Sequence, residues 1–384
     1  MTQKLAQKLA QKLTGTKRVV IKIGSALLTN EPKGAVRTRW LGALASDISA
    51  LKGRGTQVVL VSSGAIAVGR GLLGLDKARL KLEEKQAAAA AGQIRLAHAY
   101  QAALARHDVS VAQVLLTLED TEQRRRYLNA RNTIETLLKL GAVPVINEND
   151  TVATNEIRYG DNDRLAARVA AMISADTLVL LSTIDGLYSA DPSSNPDAHF
   201  VPEVTALTPE ILAMAGNAPV GYSSGGMVTK LEAARVALGA GCRMVIADGR
   251  KTHALRDLDQ ASRKTWFVVT GNPRANRKHW IAASLKPAGT LTVDDGALKA
   301  LKSGKSLLPA GVTHVEGRFD RGDAVVMHDR NGNEVARGLV AYADSDARRL
   351  AGHKSREIQE LLGYRGRDEM IHRDDLVVTD AKDG

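Results

Sequence analysis

The sequence is poor in the groups that most often betray a function. It holds one cysteine, Cys242, so no disulfide framework forms within the chain, and a lone thiol suits a reducing compartment such as the cytosol. That residue lies in the strand-like segment GCRMVIADG and reads as a small buried apolar side chain rather than a nucleophile. Aromatic residues make up 3% of the chain, so its core must be aliphatic. No apolar run approaches the roughly 18 residues a membrane-spanning helix needs. The histidines, scattered from His98 to His372, show neither HExxH nor Cys/His ligand spacing, so no protein-built zinc site is implied.

What is abundant is positive charge. The net charge of +11 invites a nucleic-acid or acidic-ligand reading. Residues 274–384, however, carry 19 Lys+Arg against 17 Asp+Glu, while residues 1–273 carry 34 against 25. The excess therefore lies outside the C-terminal part. Some of it sits in the repeated QKLA, QKLA, QKLT of Gln3–Thr14, which would set Leu5, Leu9 and Leu13 on one helical stripe beside Lys4, Lys8 and Lys12. This stretch lacks the apolar segment of a secretory signal and the arginines and serines of an organellar presequence, and reads as an extension outside the fold, residues 1–17.

With 384 residues the chain has material for two domains. From residue 18 to 270 apolar strands alternate with helical patterns, which predicts an α/β domain with a mainly parallel sheet. Polar motifs gather where strands end. Arg18–Ile23 runs into Gly24-Ser25, with Lys22 either answering an anion or snorkelling from the strand end. Gln57–Val61 runs into Ser62-Ser63-Gly64 and a helix, a geometry that suits an anion at free N–H groups or a simple serine cap. Residues 83–106 form an alanine-rich helix whose small side chains permit close packing on the sheet or a partner subunit. Arg124, Arg125 and Arg126 read as a solvated helix face.

The densest polar cluster follows the strand Val143–Ile146. Asn147, Glu148, Asn149, Asp150, Glu156, Asp161, Asn162 and Asp163 fall there before a helix resumes at Leu165. Ligands of open α/β sheets sit beyond strand carboxyl ends, so this cluster reads as a binding site, although Asn and Asp also form ordinary turns and caps. The strand Thr177–Leu181 then meets Ser182, Thr183 and Asp185-Gly186-Leu187-Tyr188. GYSSGGMVTK, Gly221–Lys230, places two glycines before a helix and a lysine in its first turn. It is no Walker A loop, and neither is Gly304-Lys305-Ser306, because Lys299 stands where the first glycine of that loop belongs. From residue 271 a linker to 287 precedes a small, mainly β domain, 288–366, and a tail, 367–384. Within that domain GDAVVMHDRNGNEVARGLV reads as a hairpin turning at Asn331-Gly332.

INENDTVAT followed by YGDNDRLAA, with VVIKIGS before them and GGMVTK after, resembles the amino acid kinase family and, within it, the glutamate 5-kinases. The resemblance runs from Val19 to about Val378. It implies an amino acid kinase-like α/β/α sandwich, and the C-terminal part resembles a PUA domain, whose balanced charge gives RNA binding no independent support. It also implies ATP-dependent phosphorylation of the γ-carboxylate of L-glutamate, the first step of proline biosynthesis, in the cytoplasm. Mg²⁺ would arrive with ATP, proline would inhibit, and the enzyme would be a homo-oligomer, dimer or tetramer. By residue, the match implies that Lys22 and Lys230 flank the transferred phosphoryl group, that Asp163 orients both lysines, and that Ser63, Asp150 and Asn162 hold glutamate. It gives nucleotide contact to Lys22, Ser182, Thr183, Ser224, Gly225, Gly226, Met227, Val228, Thr229 and Lys230. Thr183 stands where the family usually has an acid, and Ser224 where it usually has Thr. Another amino acid kinase, an RNA-binding protein and a catalytically silent paralogue are the competing readings.

Overall fold

The computed structural model describes residues 13–30, 34–75, 80–152, 162–216, 226–260, 263–269 and 287–379. The chain divides into two compact units, Met1–Glu122 with Asn129–Pro273, and Gln123–Leu128 with Arg274–Gly384. No helix among the described residues is long and apolar enough to cross a membrane.

Among the described residues the first unit contains twelve strands: β1 Arg18–Ile23, β2 Thr29–Asn30, β3 Ala35–Val36, β4 Gln57–Ser62, β5 Val111–Leu116, β6 Val143–Glu148, β7 Thr177–Ser182, β8 Leu187–Tyr188, β9 Phe200–Val201, β10 Glu203–Val204, β11 Arg243–Asp248 and β12 Lys264–Phe267. Eight of them form one sheet in the order β10-β12-β11-β7-β1-β4-β6-β5, in which only the β11–β12 pairing is antiparallel. β1 lies between β4 and β7, so the chain builds outward to one side of β1 and then returns to build the other. Such a reversal leaves a crevice beyond the carboxyl ends of the central strands.

Strand alternation divides the sheet's two faces. Val19, Ile21 and Ile23 pack with Leu41, Leu44 and Ile48 of the helix Thr38–Gly53 and with Leu96 and Tyr100 of the helix Leu82–Ala105. Val20 and Lys22 face the other way, toward the helix Asn162–Met172, whose Ala166, Ala167, Val169 and Ala170 are buried. Apart from Trp40, Tyr100, Trp266 and Phe267 this core is built from aliphatic side chains. Cys242 is buried, and desolvation raises its thiol pKa well above the usual range.

The end of the N-terminal extension corrects the reading of it as lying outside the fold. Leu13 belongs to the core cluster, its N–H donates to Asp259 Oδ1 at 2.7 Å, and Thr16 is also buried. Residues 13–17 are therefore part of the domain, and residues 1–12 of the QKLA stretch lie outside the described residues. Arg125 and Arg126 are exposed on the helix Arg124–Lys139.

The second unit holds β13 Gly289–Val293, β14 Val312–Gly317, β15 Ala324–His328, β16 Glu334–Leu339 and β17 Leu376–Val378, in the order β14-β13-β15-β16-β17. β15 and β16 are antiparallel around Asn331-Gly332, where Gly332 takes φ +84° and the Asp329 carboxylate accepts from the N–H groups of Asn331 and Asn333. The unit has its own aliphatic core, including Leu291, Val325, Met327 and Leu350. The linker, apart from residue 287, lies outside the described residues.

Candidate active site

Four strand ends converge at the crevice. β1 brings Lys22, β4 brings Ser62 and leads to Ser63, β6 brings Asn147, and β7 brings Ser182. Gly64 caps the helix Ala65–Leu73 with φ +104°, a left-handed conformation that suits glycine. Ser63 N–H is tied to the Ile23 carbonyl at 3.2 Å, which fixes this turn to the end of β1.

At the centre, Lys22 Nζ lies 2.6 Å from Asp163 Oδ1, and Lys230 Nζ lies 2.9 Å from Asp163 Oδ2. Asp163 is 0% exposed, Lys22 7% and Lys230 3%. Burial alone would raise the Asp163 carboxyl, but the two ammonium groups and their hydrogen bonds hold it below the ordinary carboxylate range. The two buried ammonium groups share one carboxylate, an arrangement suited to meeting an anionic ligand. The partners come from β1, the first turn of the helix Asn162–Met172, and the first turn of the helix Met227–Gly239. Arg164 ties the two helices together one residue beyond Asp163, its Nε donating to Glu232 Oε2 at 2.5 Å.

Beside this cluster runs a chain of amides. Asn162 Nδ2 lies 2.6 Å from the Ser62 carbonyl, 3.0 Å from Ser63 Oγ and 2.8 Å from Asn147 Oδ1. Asn147 Nδ2 in turn donates to Gln93 Oε1 at 2.6 Å, and Ser62 Oγ lies 3.0 Å from the buried Tyr100 hydroxyl. Asp150 follows β6 in the same polar cluster, and burial pushes its carboxyl up to about 6.

The structure thus brings Lys22, Asp163 and Lys230 to one point and joins Ser63 to Asn162. Ser182 is half-buried at the end of β7, where its carbonyl accepts from Gly249 N–H at 2.8 Å, and Thr183 beyond it is exposed. Gly226 caps the Met227–Gly239 helix, followed by Met227, Val228 and Thr229, whose hydroxyl donates to the Gly226 carbonyl at 2.8 Å. Ser224, Gly225, Glu156 and Asp161 lie outside the described residues. Gln93 and Tyr100 were not among the residues singled out from sequence, whereas Asn147 belonged to the polar cluster that was. The only sequence trace of the first two is a polar group at two positions of an alanine-rich helix.

A mainly parallel α/β sheet whose central strand β1 brings Lys22, and a helix start that brings Lys230, to one buried carboxylate define a site built for an anionic group. The amino acid kinase family matches residues 17–248, and the PUA domain family matches residues 289–362. The chain is 63% identical over 366 residues to the glutamate 5-kinase of Paramagnetospirillum magneticum, covering 95% of this chain and 99% of that protein. It is 62% identical over 359 residues to the glutamate 5-kinase of Rhodospirillum rubrum, with coverage of 94% and 96%. It is 59% identical over 373 residues to that of Brucella abortus, with coverage of 97% and 98%. The chain belongs to the amino acid kinase family, in its glutamate 5-kinase branch.

Proposed function

We propose that the chain transfers the γ-phosphoryl group of ATP to the γ-carboxylate of L-glutamate, giving L-glutamyl 5-phosphate and ADP, the activation that opens proline biosynthesis. The observation that carries this reading is the pair of buried lysines on the single Asp163 carboxylate, taken with near full-length relatives named for this activity. A carboxylate oxygen of glutamate attacks the γ-phosphorus, the bond to the bridging oxygen breaks, and ADP leaves. Glutamate is already ionised near neutral pH, so no general base takes part. The barrier is electrostatic, because one anion must approach another. Lys22 and Lys230 stabilise the charge on the phosphoryl group in flight, and Asp163 holds both ammonium groups at the spacing that lets one group lie between them. The first N–H groups after Gly64 supply further donors.

Glutamate is held by Ser63, Asn162 and Asp150, with Asp150 facing the α-ammonium. The nucleotide lies along Ser182, Thr183 and the segment Ser224–Lys230. Magnesium enters as part of Mg-ATP, and Asp163 is committed to two ammonium groups. When bound, the ion neutralises charge on the β- and γ-phosphates. We extend the reading to a kinase domain over 18–270 together with residues 13–17, a cytoplasmic homo-oligomer, and inhibition by proline, which shares the α-carboxylate and ammonium of glutamate and would compete at the same subsite.

Incubation with Mg-ATP, glutamate and hydroxylamine tests the proposal. γ-Glutamyl hydroxamate should form with glutamate and not with aspartate. Hydroxamate from aspartate alone, or salt-sensitive RNA binding with no hydroxamate, would replace this reading with one of its competitors.

A further inference from the structure

The amide chain beside the lysines has a direction, and its starting point lies on a helix to which no function is assigned. The Ser62 carbonyl can only accept, so the amide atom of Asn162 2.6 Å from it must be the NH₂ group. That NH₂ also points at an Asn147 atom 2.8 Å away, which must therefore be a carbonyl oxygen. The Glu148 N–H, 2.9 Å from the same Asn147 oxygen and able only to donate, gives the same assignment independently. Asn147 is left with its own NH₂ facing Gln93, and Gln93 Oε1 receives it at 2.6 Å. The order is forced throughout: Asn162 donates to Asn147, and Asn147 donates to Gln93. The group of the Asn162 amide not spent on this chain is its oxygen, an acceptor suited to an ammonium group.

Gln93 is 9% exposed, Asn147 2% and Asn162 5%, so water cannot readily substitute for any member. The position of Gln93 is itself fixed by packing. The helix carrying it crosses the helix Ala65–Leu73 at backbone contact: a Cβ on Gly92 would stand 1.9 Å from the Ala65 carbonyl oxygen, and one on Gly69 would stand 1.7 Å from that of Ala88. Tyr100, two turns further along, meets Ser62 Oγ. The helix Leu82–Ala105 is therefore seated against the turn that carries Ser63.

We infer that Gln93 is a positioning residue for the amino acid substrate: by accepting from Asn147 it sets the orientation in which Asn162 offers its carbonyl oxygen to the substrate ammonium. This rests on the glutamate kinase reading given above. With leucine at 93 the Asn147 NH₂ is buried without an acceptor. It regains one only by rotating, which withdraws the Asn147 oxygen from Asn162 and frees the Asn162 amide.

The test compares Gln93→Leu and Gln93→Glu with the wild-type full-length chain, measuring kcat, KM for glutamate, KM for Mg-ATP and thermal stability. Gln93→Leu should raise the glutamate KM roughly tenfold, the weight of one hydrogen bond to a charged group, and leave the Mg-ATP KM within about twofold. Glutamate at 93, ionised or protonated, keeps an acceptor oxygen, so Gln93→Glu should hold the glutamate KM within about threefold of wild type. A purely structural role would lower stability without this split between substrates. An unchanged glutamate KM in Gln93→Leu, or an equal rise in Gln93→Glu, overturns the inference. Should Gln93→Leu fail to fold, Gln93→Glu decides alone, a roughly tenfold rise counting against it. Absence of activity in the wild type would instead sink the kinase reading.

Discussion

Replacing Asp163 with asparagine keeps the shape of the side chain and removes the charge that two buried lysines share. Lys22 and Lys230 lie 2.6 and 2.9 Å from its two oxygens, and neither is more than 7% exposed. Asparagine offers one acceptor oxygen and turns an NH₂ group toward the other ammonium, so both buried cations lose this carboxylate. Breaking a buried pair by removing one partner costs about 3–5 kcal/mol, and here two pairs break at once, so the upper part of that range applies. For a domain of this size each kcal/mol moves the midpoint by about 2–4 °C, so Asp163→Asn should melt roughly 8–20 °C below wild type by calorimetry. The pH dependence has a definite sign. The folded Asp163 carboxyl is held below its ordinary range, so its contribution is full above the unfolded value, near 4, and is lost as pH falls through the lower folded value. The gap between the two proteins should therefore be wide at neutral pH and close only in strong acid. Phosphate, an anion that fits between the two ammonium groups, should raise the melting midpoint of the variant more than that of the wild type. A variant that melts within about 2 °C of wild type at pH 7 would show that the lysines do not depend on this carboxylate.

Other consequences follow from residues nearby. Asp150, raised to about 6 by burial, loses its charge below that pH, so the glutamate KM should climb up to about tenfold per pH unit below 6 and stay flat above it; a profile flat to pH 5 removes Asp150 from the ammonium subsite. By the same shift, the empty protein is most favoured below the unfolded carboxyl value and loses stability as pH rises through about 6, so Asp150→Asn should stabilise it at pH 8 by at most about 3 kcal/mol while abolishing glutamate affinity. Gly64→Ala meets no close atom, the nearest being 3.7 Å away, but must hold φ near +104°; it should cost about 1–3 kcal/mol and lower kcat, read by melting and initial rates, and an unaltered melting midpoint would mean the turn tolerates a side chain.

The parts of the site visible in the sequence are those attached to strand ends. Lys22, Ser63 and the Asn147–Asp150 run each follow an apolar β-prone segment, and in a parallel sheet such segments all deliver their last residues to one edge. Lys230 was visible through the glycines before it. The parts not visible depend on side chains that no local pattern marks. Gln93 and Tyr100 sit on a helix whose alanines and glycine speak only of close packing, and their meaning appears only when Gly92 and Gly69 bring that helix against the Ser63 turn. Leu13 was lost for a related reason: its QKLA setting looks like a repeating solvated helix, and only the Asp259 carboxylate and the core show where the repeat ends. The two-residue strand β10 and the four-residue strand β12 are too short to display alternation, so the far edge of the sheet was not legible either.

The most direct test of the account is steady-state kinetics of Lys230→Met. Methionine keeps much of the lysine stem and removes the ammonium, while Asp163 retains Lys22 at 2.6 Å, so the fold should hold. The variant's kcat should fall roughly 100- to 1,000-fold, with KM for glutamate and Mg-ATP within about threefold of wild type. An unchanged kcat, or a loss confined to KM, would contradict it.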